Sequence, residues 1–157
     1  MGTSSWNHSM NSISIRRMNA LDIDGVLFVE QQSFTTPWSR EGFVNEINND
    51  LSYYLVMVEA GQIIGYAGMW LIVDEAHVTN VAVLPTHRGR KLGEQLMTAL
   101  IEHAKKRGAL RMTLEVRASN EVAQNLYGKF GFVPQGRRRN YYVETKEDAI
   151  IMWCDFP

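Results

Sequence analysis

One stretch in the middle of the chain, Val78–Gly93, constrains the fold more than any other. Its first half, Val78–Leu84, is rich in β-branched and apolar residues and predicts a buried strand. Pro85 has no N–H group and therefore ends that strand. A basic turn containing glycine follows, and a strongly periodic helical pattern opens at Leu92. The stretch predicts a strand, a tight turn and a helix N-terminus in succession.

Such a turn is suited to binding an anion, because the first amides of a helix have no intrahelical partner and lie at the positive end of its dipole. Arg88, Arg90 and Lys91 add three positive charges there. We infer a pyrophosphate site at the start of the helix. The alternative is a solvated basic turn before an ordinary surface helix. A P-loop is disfavoured, because neither Gly-Lys-Ser nor Gly-Lys-Thr follows the turn.

Length and charge narrow the class of protein. The chain has 157 residues, enough for one domain with a sizeable core, and its net charge of −1 gives no reason to expect direct nucleic-acid binding. Basic residues cluster instead at Arg88–Lys91 and Arg137–Arg139, which suits phosphate groups on a small ligand or one patch on a partner. No apolar run is long enough to span a membrane. Cys154 is the only cysteine, which fits a reducing compartment, and we expect a cytoplasmic protein.

The first dozen residues, Met1–Ser12, are polar and lack the apolar core of a signal peptide. We expect them to be disordered or partly derived from an expression tag. The folded domain is then expected to span residues 13–157.

Hydrophobic periodicity predicts a single α/β (α+β) domain with a mixed, mostly antiparallel sheet of about seven strands and about four helices. Strands are expected at residues 13–18, 53–59, 63–73, 76–84, 111–117, 132–139 and 149–156. Helices are expected after Asp22 and Ser39, from Leu92, and after Asn120, each of the three polar residues acting as an N-cap. The segment Asn140–Tyr142 is expected to begin a connection before the last strand.

Two of these elements have distinct faces. On the strand at 111–117, strict alternation places three apolar side chains on one face and Thr113, Glu115 and Arg117 on the other. On the helix after Asn120, the core-facing residues are predicted to be Val122, Ala123, Leu126, Tyr127 and Phe130.

The basic turn Arg88-Gly89-Arg90-Lys91-Leu92-Gly93 resembles the coenzyme A pyrophosphate loop of the GNAT N-acetyltransferases, whose pattern is Gln/Arg-x-x-Gly-x-Gly/Ala. Lys91 stands where the first glycine of the pattern is expected, although Gly89 lies two residues earlier. The predicted order of elements agrees with that family over residues 13–156. The resemblance implies a GNAT fold and acetyl-CoA as co-substrate, with cofactor contacts from Arg88, Gly89, Arg90, Lys91, Leu92 and Gly93.

Longer segments resemble the RimI branch of that family. They are Leu114–Asn120, Leu126-Tyr127, Phe130–Phe132, Arg138–Tyr142 and Glu147–Met152. RimI-like enzymes acetylate the N-terminal alanine of a small-subunit ribosomal protein, number eighteen. The resemblance implies an acyltransferase that modifies the N-terminal amine of a protein. From the residues themselves we expect no metal, no membrane and no direct contact with nucleic acid. We expect a monomer or a weak dimer.

Acetyl transfer to an amine needs a neutral amine and a proton for the departing thiolate. In RimI-like enzymes a glutamate matching Glu115 is the catalytic base; the alternative is a surface glutamate paired with Arg117. In GNAT enzymes a tyrosine matching Tyr127 protonates the thiolate; the alternative is a tyrosine that only packs in the core. Both can hold for Tyr127, because the ring can pack while the hydroxyl faces the ligand.

The resemblance also assigns backbone amides of Val81, Ala82 and Val83 to the acetyl carbonyl and the pantetheine arm. Their alternative is that they are core residues of a central strand. It assigns Asn120 to the cofactor, where the alternative is an N-cap alone.

Aromatic residues are the candidates for binding the peptide substrate. Tyr141 and Tyr142 lie in the loop that forms the peptide groove in the family, and Trp38 lies in the first helical pair, which forms its other wall. Aromatic packing is the alternative for all three. His77 and His103 could be metal ligands. We reject a metal site, because no cluster of Cys, His or Asp residues has the spacing of a ligand set.

Other functions remain open at this point. The chain could acetylate a small amine, such as an aminoglycoside or a polyamine, or a lysine side chain. It could also be a non-catalytic acetyl-CoA-binding module. The Arg137–Arg139 cluster argues against a polycationic substrate, and the presence of Glu115 and Tyr127 argues against lost catalysis.

Overall fold

The computed structural model describes residues 12–157, so all but the last residue of the predicted disordered segment lies outside the described residues. In chain order the elements are β1 (Ile13–Arg17), α1 (Ile23–Ser33), α2 (Arg40–Ile47), β2 (Ser52–Glu59), β3 (Gln62–Ile72), β4 (Glu75–Val83), α3 (Leu92–Lys106), β5 (Arg111–Arg117), α4 (Glu121–Lys129), β6 (Val133–Tyr142) and β7 (Glu147–Asp155). Short 3-10 turns precede α1 and α3, at Ala20–Asp22 and Pro85–His87. The predicted α/β order of seven strands and four helices is confirmed.

The strands hydrogen-bond in the order β1-β2-β3-β4-β5-β7-β6. β1 is antiparallel to β2, and β7 is antiparallel to both β5 and β6, whereas β4 and β5 are parallel. Ala60 and Gly61, with φ of 50° and 77°, form a two-residue left-handed turn that joins β2 to β3 as a hairpin. The sheet is therefore mixed and mostly antiparallel, as predicted.

The parallel ladder between β4 and β5 is short. It pairs Glu75–His77 with Arg111–Thr113 and has no further register among the described residues, although both strands continue. β5 pairs with β7 over its whole length, from Arg111 opposite Asp155 to Arg117 opposite Ala149. The order of the strands thus makes β7 the principal support of β5.

The chain divides into two compact units, and the first runs through Met69 and resumes at Asn80–Leu100. Its most deeply buried side chains come from both helices and strands. They include Val26, Phe43, Leu55, Met57, Ile64, Tyr66, Met69, Leu96, Met97 and Leu100. Ser39 caps α2 as predicted, because its hydroxyl accepts a hydrogen bond from the Gly42 N–H at 3.1 Å.

The second unit comprises Trp70–Thr79 and Ile101–Pro157. Met112, Leu114 and Val116 are buried along β5, which confirms the alternation predicted for that strand. Asn120 caps α4, since its side-chain oxygen accepts the Ala123 N–H at 3.0 Å. No helix among residues 12–157 is both long and apolar enough to cross a membrane.

The cap predicted at Asp22 is wrong. Its side chain makes no cap bond to α1. Its oxygens instead accept the Arg16 guanidinium at 2.7 and 2.8 Å and the Asn19 N–H at 2.8 Å. The hydrogen bonds from Arg16 lower the pKa of Asp22, despite the opposing effect of burial. Ion pairing with Arg16 on β1 therefore outweighs the propensity of Asp22 to cap the helix.

Two further local predictions are wrong. Val122 is 83% exposed rather than core, because it lies in the first turn of a helix that buries none of its residues completely. β6 continues through Tyr142 instead of giving way to a connection at Asn140. A bulge makes this possible: the register moves from Arg138 opposite Ala149 to Tyr142 opposite Glu147.

Candidate active site

Glu115 lies on β5, in the second unit, with a side chain that is only 11% exposed. Its Oε2 atom is 2.7 Å from His77 Nε2 on β4, and its Oε1 atom is 4.0 Å from Arg138 Nε on β6. One carboxylate oxygen is thus hydrogen-bonded, and the other lies beyond hydrogen-bond distance of the guanidinium. A carboxylate with one free oxygen can accept a proton from a substrate.

The alternative partner foreseen for Glu115, Arg117, is engaged elsewhere. Its guanidinium donates to Glu144 at 2.6 Å, to Thr145 at 3.0 Å and to Glu147 at 3.4 Å. It also lies 4.0 Å from the centre of the Tyr142 ring. The surface-pair interpretation of Glu115 with Arg117 is therefore wrong.

Tyr127 lies on α4, partly buried, with its ring 5.9 Å from that of Phe132. Burial raises the pKa of its hydroxyl to about 12. The hydroxyl makes no hydrogen bond among residues 12–157. The ring therefore packs, while the hydroxyl keeps its proton at neutral pH and its capacity to donate it.

Tyr141 and Tyr142 follow the bulge in β6, with rings perpendicular and 5.1 Å apart. Asn140 adopts a left-handed φ of 52°, and its N–H donates to Asp148 at 2.9 Å. Burial is the main cause that raises the pKa of Tyr142 to about 12; the charge of Arg117 opposes this rise, and those of Glu115 and Tyr127 contribute to it. Tyr142 therefore lies within electrostatic range of both predicted catalytic residues.

The acidic pair Glu147-Asp148 supports this cluster from β7. Glu147 accepts the Ser119 N–H at 2.7 Å, which fixes the turn between β5 and α4. Asp148 accepts the Arg137 guanidinium at 2.7 Å in addition to the Asn140 N–H. These hydrogen bonds to the charged forms lower the pKa of both carboxyl groups, so both are ionised at neutral pH.

The basic turn before α3 lies in the first unit, and its arginines have different environments. Arg90 binds the Glu59 carboxylate with two hydrogen bonds, one of them at 3.1 Å. The His87 ring lies 3.5 Å from the same carboxylate. Arg88 is exposed, and its guanidinium makes no hydrogen bond or ion pair among the described residues. Arg90 anchors the turn to β2, and Arg88 remains available to an anion.

Lys91 adopts the left-handed conformation, with φ of 59°, and Gly89 does so with φ of 84°. Glycine adopts this conformation at little cost, as Gly89 does, whereas an L-residue such as Lys91 is strained in it. The Lys91 carbonyl accepts the Gln95 N–H at 3.3 Å and so opens α3. Lys91, at the position where the family motif has its first glycine, therefore adopts a conformation that glycine would reach more easily.

The remaining predicted cofactor residues occupy ordinary structural positions. Ala82 is buried, and Val81 and Val83 are partly buried, so their side chains pack while their backbone continues β4 beyond its ladder with β5. Leu92 is buried at the first position of α3, and Gly93 follows it. Asn120 is an N-cap, as its alternative interpretation states.

Trp38 belongs to the first unit, apart from the cluster that contains Glu115 in the second. Its ring packs 5.4 Å from that of Phe43, and its backbone N–H donates to Glu30 Oε2 at 2.9 Å. Glu30 is 2% exposed, and its other oxygen accepts the Tyr66 hydroxyl. The same hydroxyl accepts a hydrogen bond from the Asn80 amide at 3.1 Å. Burial and the Glu30 charge raise the pKa of Tyr66.

Sequence reasoning missed several partners. His77 was considered only as a metal ligand, yet it pairs with Glu115; the parallel pairing of β4 with β5, which sets His77 opposite Thr113, is the signal that could have revealed it. Glu59 was not singled out, because nothing local connects it to Arg90, 31 residues away. Among the described residues, no group of three or more His, Cys, Asp or Glu side chains could hold a metal ion.

Comparison with known proteins identifies relatives over almost the whole chain. The family model described as "Acetyltransferase (GNAT) family" matches residues 23–132. A Bacillus subtilis (strain 168) protein, named as a candidate ribosomal protein bS18-alanine N-acetyltransferase, is 45% identical over 141 residues, or 89% of this chain and 93% of its own. The ribosomal protein bS18-alanine N-acetyltransferase of Escherichia coli (strain K12) is 38% identical over 146 residues, or 91% and 96% of the two chains.

A solved structure agrees with these sequence relatives. The crystal structure of the ribosomal-protein-S18-alanine N-acetyltransferase from Escherichia coli superposes with a TM-score of 0.86 at 33% identity. The match covers 92% of this chain and 94% of that chain. The similarity therefore extends through the fold as well as the sequence.

Proposed function

Because the chain belongs to the GNAT family of acetyltransferases, we propose that it transfers an acetyl group from acetyl-CoA to the N-terminal alanine of ribosomal protein bS18. The observation that carries the proposal is the environment of Glu115: a shielded carboxylate with one oxygen fixed and one free, beside Tyr141 and Tyr142. The relatives that act on bS18 align with nearly the whole chain, which supports the choice of substrate.

In the proposed reaction the free oxygen of Glu115 accepts a proton from the substrate amine. Acetyl-CoA supplies the acetyl group as a thioester. The new N–C bond forms as the C–S bond breaks, and the Tyr127 hydroxyl gives its proton to the departing sulfur. An α-amino group has a pKa of about 7.7–8.0, against about 10.4 for lysine, so a carboxylate base is better matched to an N-terminus than to a lysine side chain.

The turn before α3 has the properties that a pyrophosphate requires. The first amides of α3 have no intrahelical partner, Gly89 leaves open space where a side chain would project, and the Arg88 guanidinium is uncommitted. We assign the phosphates of coenzyme A to Arg88, Lys91 and these amides, with Arg90 shaping the turn. Backbone groups of Val81, Ala82 and Val83 and the side chain of Asn120 complete the proposed cofactor contacts.

We assign the peptide to the aromatic residues. Tyr141 is 43% exposed next to Tyr142, so its ring and hydroxyl are available to a bound chain. Trp38 is partly exposed; Glu30 holds its backbone N–H, and its ring packs on that of Phe43, so it offers an ordered aromatic surface. A ribosomal-protein substrate also implies that the enzyme works in the cytoplasm.

The proposal is tested with a peptide carrying the first residues of bS18 after removal of its initiator methionine, so that it begins with alanine. The protein is incubated with acetyl-CoA and this peptide, and mass spectrometry locates the acetyl group. Two matched peptides serve as controls: one blocked at its α-amine but retaining its lysines, and one with its first residue changed to proline.

Acetylation confined to the α-amine of the alanine-first peptide is the expected result. Acetylation of lysine in the blocked peptide would show that the substrate is a side-chain amine. Calorimetric binding of acetyl-CoA without turnover on any peptide or on a polyamine panel would show a binding module instead.

A further inference from the structure

The contact between His77 and Glu115 joins two strands at a defined place. His77 is the last β4 residue of the parallel ladder, opposite Thr113, and Glu115 lies two residues further along β5 on the same face. The two side chains meet at 2.7 Å. His77 is 32% exposed and Glu115 is 11% exposed, so the histidine lies on the more open side of the contact.

The direction of this hydrogen bond follows from chemistry. An ionised carboxylate only accepts hydrogen bonds, so Nε2 of His77 carries the hydrogen and donates it to Oε2 of Glu115. The Trp70 ring packs edge-on against the imidazole, with ring centres 6.1 Å apart, and restricts its rotation. His77 is therefore held in place on one side and holds Glu115 on the other.

We propose that His77 is a positioning residue, which fixes the Glu115 carboxylate through Oε2 and leaves Oε1 to accept the proton of the substrate amine. This inference rests on the proposed function, because it needs Glu115 to be the base. The other polar and charged groups around the carboxylate are Arg138, Tyr141 and Tyr142. Arg138 forms an ion pair with Oε1 at 4.0 Å, so among the described residues His77 supplies the one short side-chain hydrogen bond to the carboxylate.

A fixed carboxylate matters because general-base catalysis depends on the distance and angle of proton transfer. A glutamate has three rotatable side-chain bonds, and the free ends of such chains sample several rotamers when nothing holds them. A hydrogen bond to one oxygen selects a single rotamer without consuming the other oxygen. The expected contribution is to kcat, and not to the binding of acetyl-CoA.

The test compares His77→Ala, which removes the donor, with His77→Gln, whose amide N–H can take the place of Nε2–H. Steady-state kcat and both KM values are measured for each, together with Glu115→Gln and the double variant His77→Ala/Glu115→Gln. His103→Gln, which changes another histidine of the second unit, is the matched control. Thermal unfolding confirms that each variant is folded.

We expect His77→Ala to lower kcat by about 10- to 100-fold, the size of effect caused by a misplaced catalytic group. The KM for acetyl-CoA should stay within about twofold of the wild-type value. His77→Gln should restore most of kcat, and His77→Ala should have no further effect once Glu115 is glutamine.

Three results would overturn the role of His77: an unchanged kcat in His77→Ala, an equal loss in His77→Ala and His77→Gln, or a full additional loss in the double variant. Full activity of Glu115→Gln would instead refute the base assignment in the proposed function. The two failures are distinguishable, because the single Glu115 variant tests the base without involving His77.

Discussion

Two shielded glutamates, one in each compact unit, have contrasting environments. Glu30 in the first unit is 2% exposed, and both of its oxygens accept hydrogen bonds, from the Tyr66 hydroxyl and the Trp38 N–H. Glu115 in the second unit has one oxygen bonded to His77 and the other without a hydrogen bond to Arg138. Both carboxylates are shielded from solvent. They differ in how many of their oxygens already accept a hydrogen bond from the protein.

The contrast gives a criterion for separating structural from catalytic polar groups. A buried group whose partners are all supplied by the protein stabilises the fold, because removing one partner leaves another unsatisfied. A shielded group with spare capacity can bind or exchange a proton with a ligand. Tyr66 and Tyr127 form a second such pair. Arg90 and Arg88 are both exposed, but they offer the same comparison between a side chain with a partner and one without.

The glutamate pair should give the largest difference. Glu115→Gln is expected to lower kcat by about 10²–10⁴-fold, since it removes the base while keeping the shape of the side chain. Glu30→Gln should leave kcat within a few-fold but lower the free energy of unfolding by about 1–3 kcal/mol, because an amide offers one acceptor where two donors point. Steady-state kinetics and urea unfolding measure both. A large loss of kcat in Glu30→Gln without loss of stability would break the criterion.

The tyrosine pair should behave in the same way. Tyr127→Phe removes a hydroxyl that has no hydrogen bond among the described residues, so stability should hardly change while kcat falls by about 10²-fold or more. Tyr66→Phe removes the partner of Glu30 and should destabilise the protein by about 1–3 kcal/mol with little change in kcat. If Tyr127→Phe keeps full kcat, the tyrosine serves only to pack.

The pH profile sharpens the assignment of Tyr127. An ordinary tyrosine is half ionised near pH 10, but burial raises the pKa of Tyr127 to about 12. Its protonated form is the one needed to donate, and a raised pKa extends that form to higher pH. Wild-type kcat should therefore not fall between about pH 8 and about pH 10.5, with circular dichroism confirming that the fold persists. A decline centred near pH 10 would show a tyrosine in contact with water.

The arginine pair should differ in KM. Arg88→Ala is expected to raise the KM for acetyl-CoA about tenfold, because a charge-assisted phosphate contact is lost in both ground and transition states. Arg90→Ala should raise it only about two- to threefold, and Glu59→Gln should reproduce that smaller change, since the two residues act through one ion pair. A larger effect of Arg90→Ala, with Glu59→Gln silent, would mean that Arg90 leaves Glu59 to bind phosphate.

The smallest effect is expected at Lys91. Lys91→Gly should change the affinity for acetyl-CoA by less than about tenfold, or about 1.4 kcal/mol. Stability should change by less than about 1 kcal/mol, because relief of the left-handed strain is offset by the greater freedom of glycine in the unfolded chain. Lys91→Ala is the matched control, since it removes the charge without relieving the strain. Complete loss of binding in Lys91→Gly would make the charge indispensable.

Elements were predictable where the information is local. The alternation in β5, the periodic face of α3 and the caps at Ser39 and Asn120 depend on neighbours a few residues away, and all are present. The wrong local predictions, the cap at Asp22 and the end of β6, depend on an ion pair and a β-bulge that the local pattern does not show. Asp22 has a residue type typical of an N-cap, but its carboxylate binds Arg16 instead. The bulge at Asn140 allows β6 to continue beyond its predicted end.

In the candidate site, too, some features depend on local sequence and others on contacts between distant residues. Glu115 and Tyr127 are candidates because local segments resemble those of a known family, but their surroundings depend on contacts made across the sheet. His77 is 38 residues from Glu115, and the register that unites them follows from a parallel pairing that no short sequence pattern specifies. The commitment of Arg90 to Glu59 is equally remote from any motif. The sequence could nominate these candidate residues, whereas the hydrogen bonds that leave their oxygens and protons available could not be predicted from it.

The position of β6 at the end of the strand order has a consequence for association between copies of the chain. An edge strand presents unpaired N–H and C=O groups on which another chain could add a strand. β6 is exposed along nearly all its length, carries the Arg137–Arg139 cluster, and is bent by the bulge at Asn140. Clustered charge and a bent backbone both oppose such pairing, so the strand that carries Arg138, Tyr141 and Tyr142 also protects the protein from aggregating through its own edge.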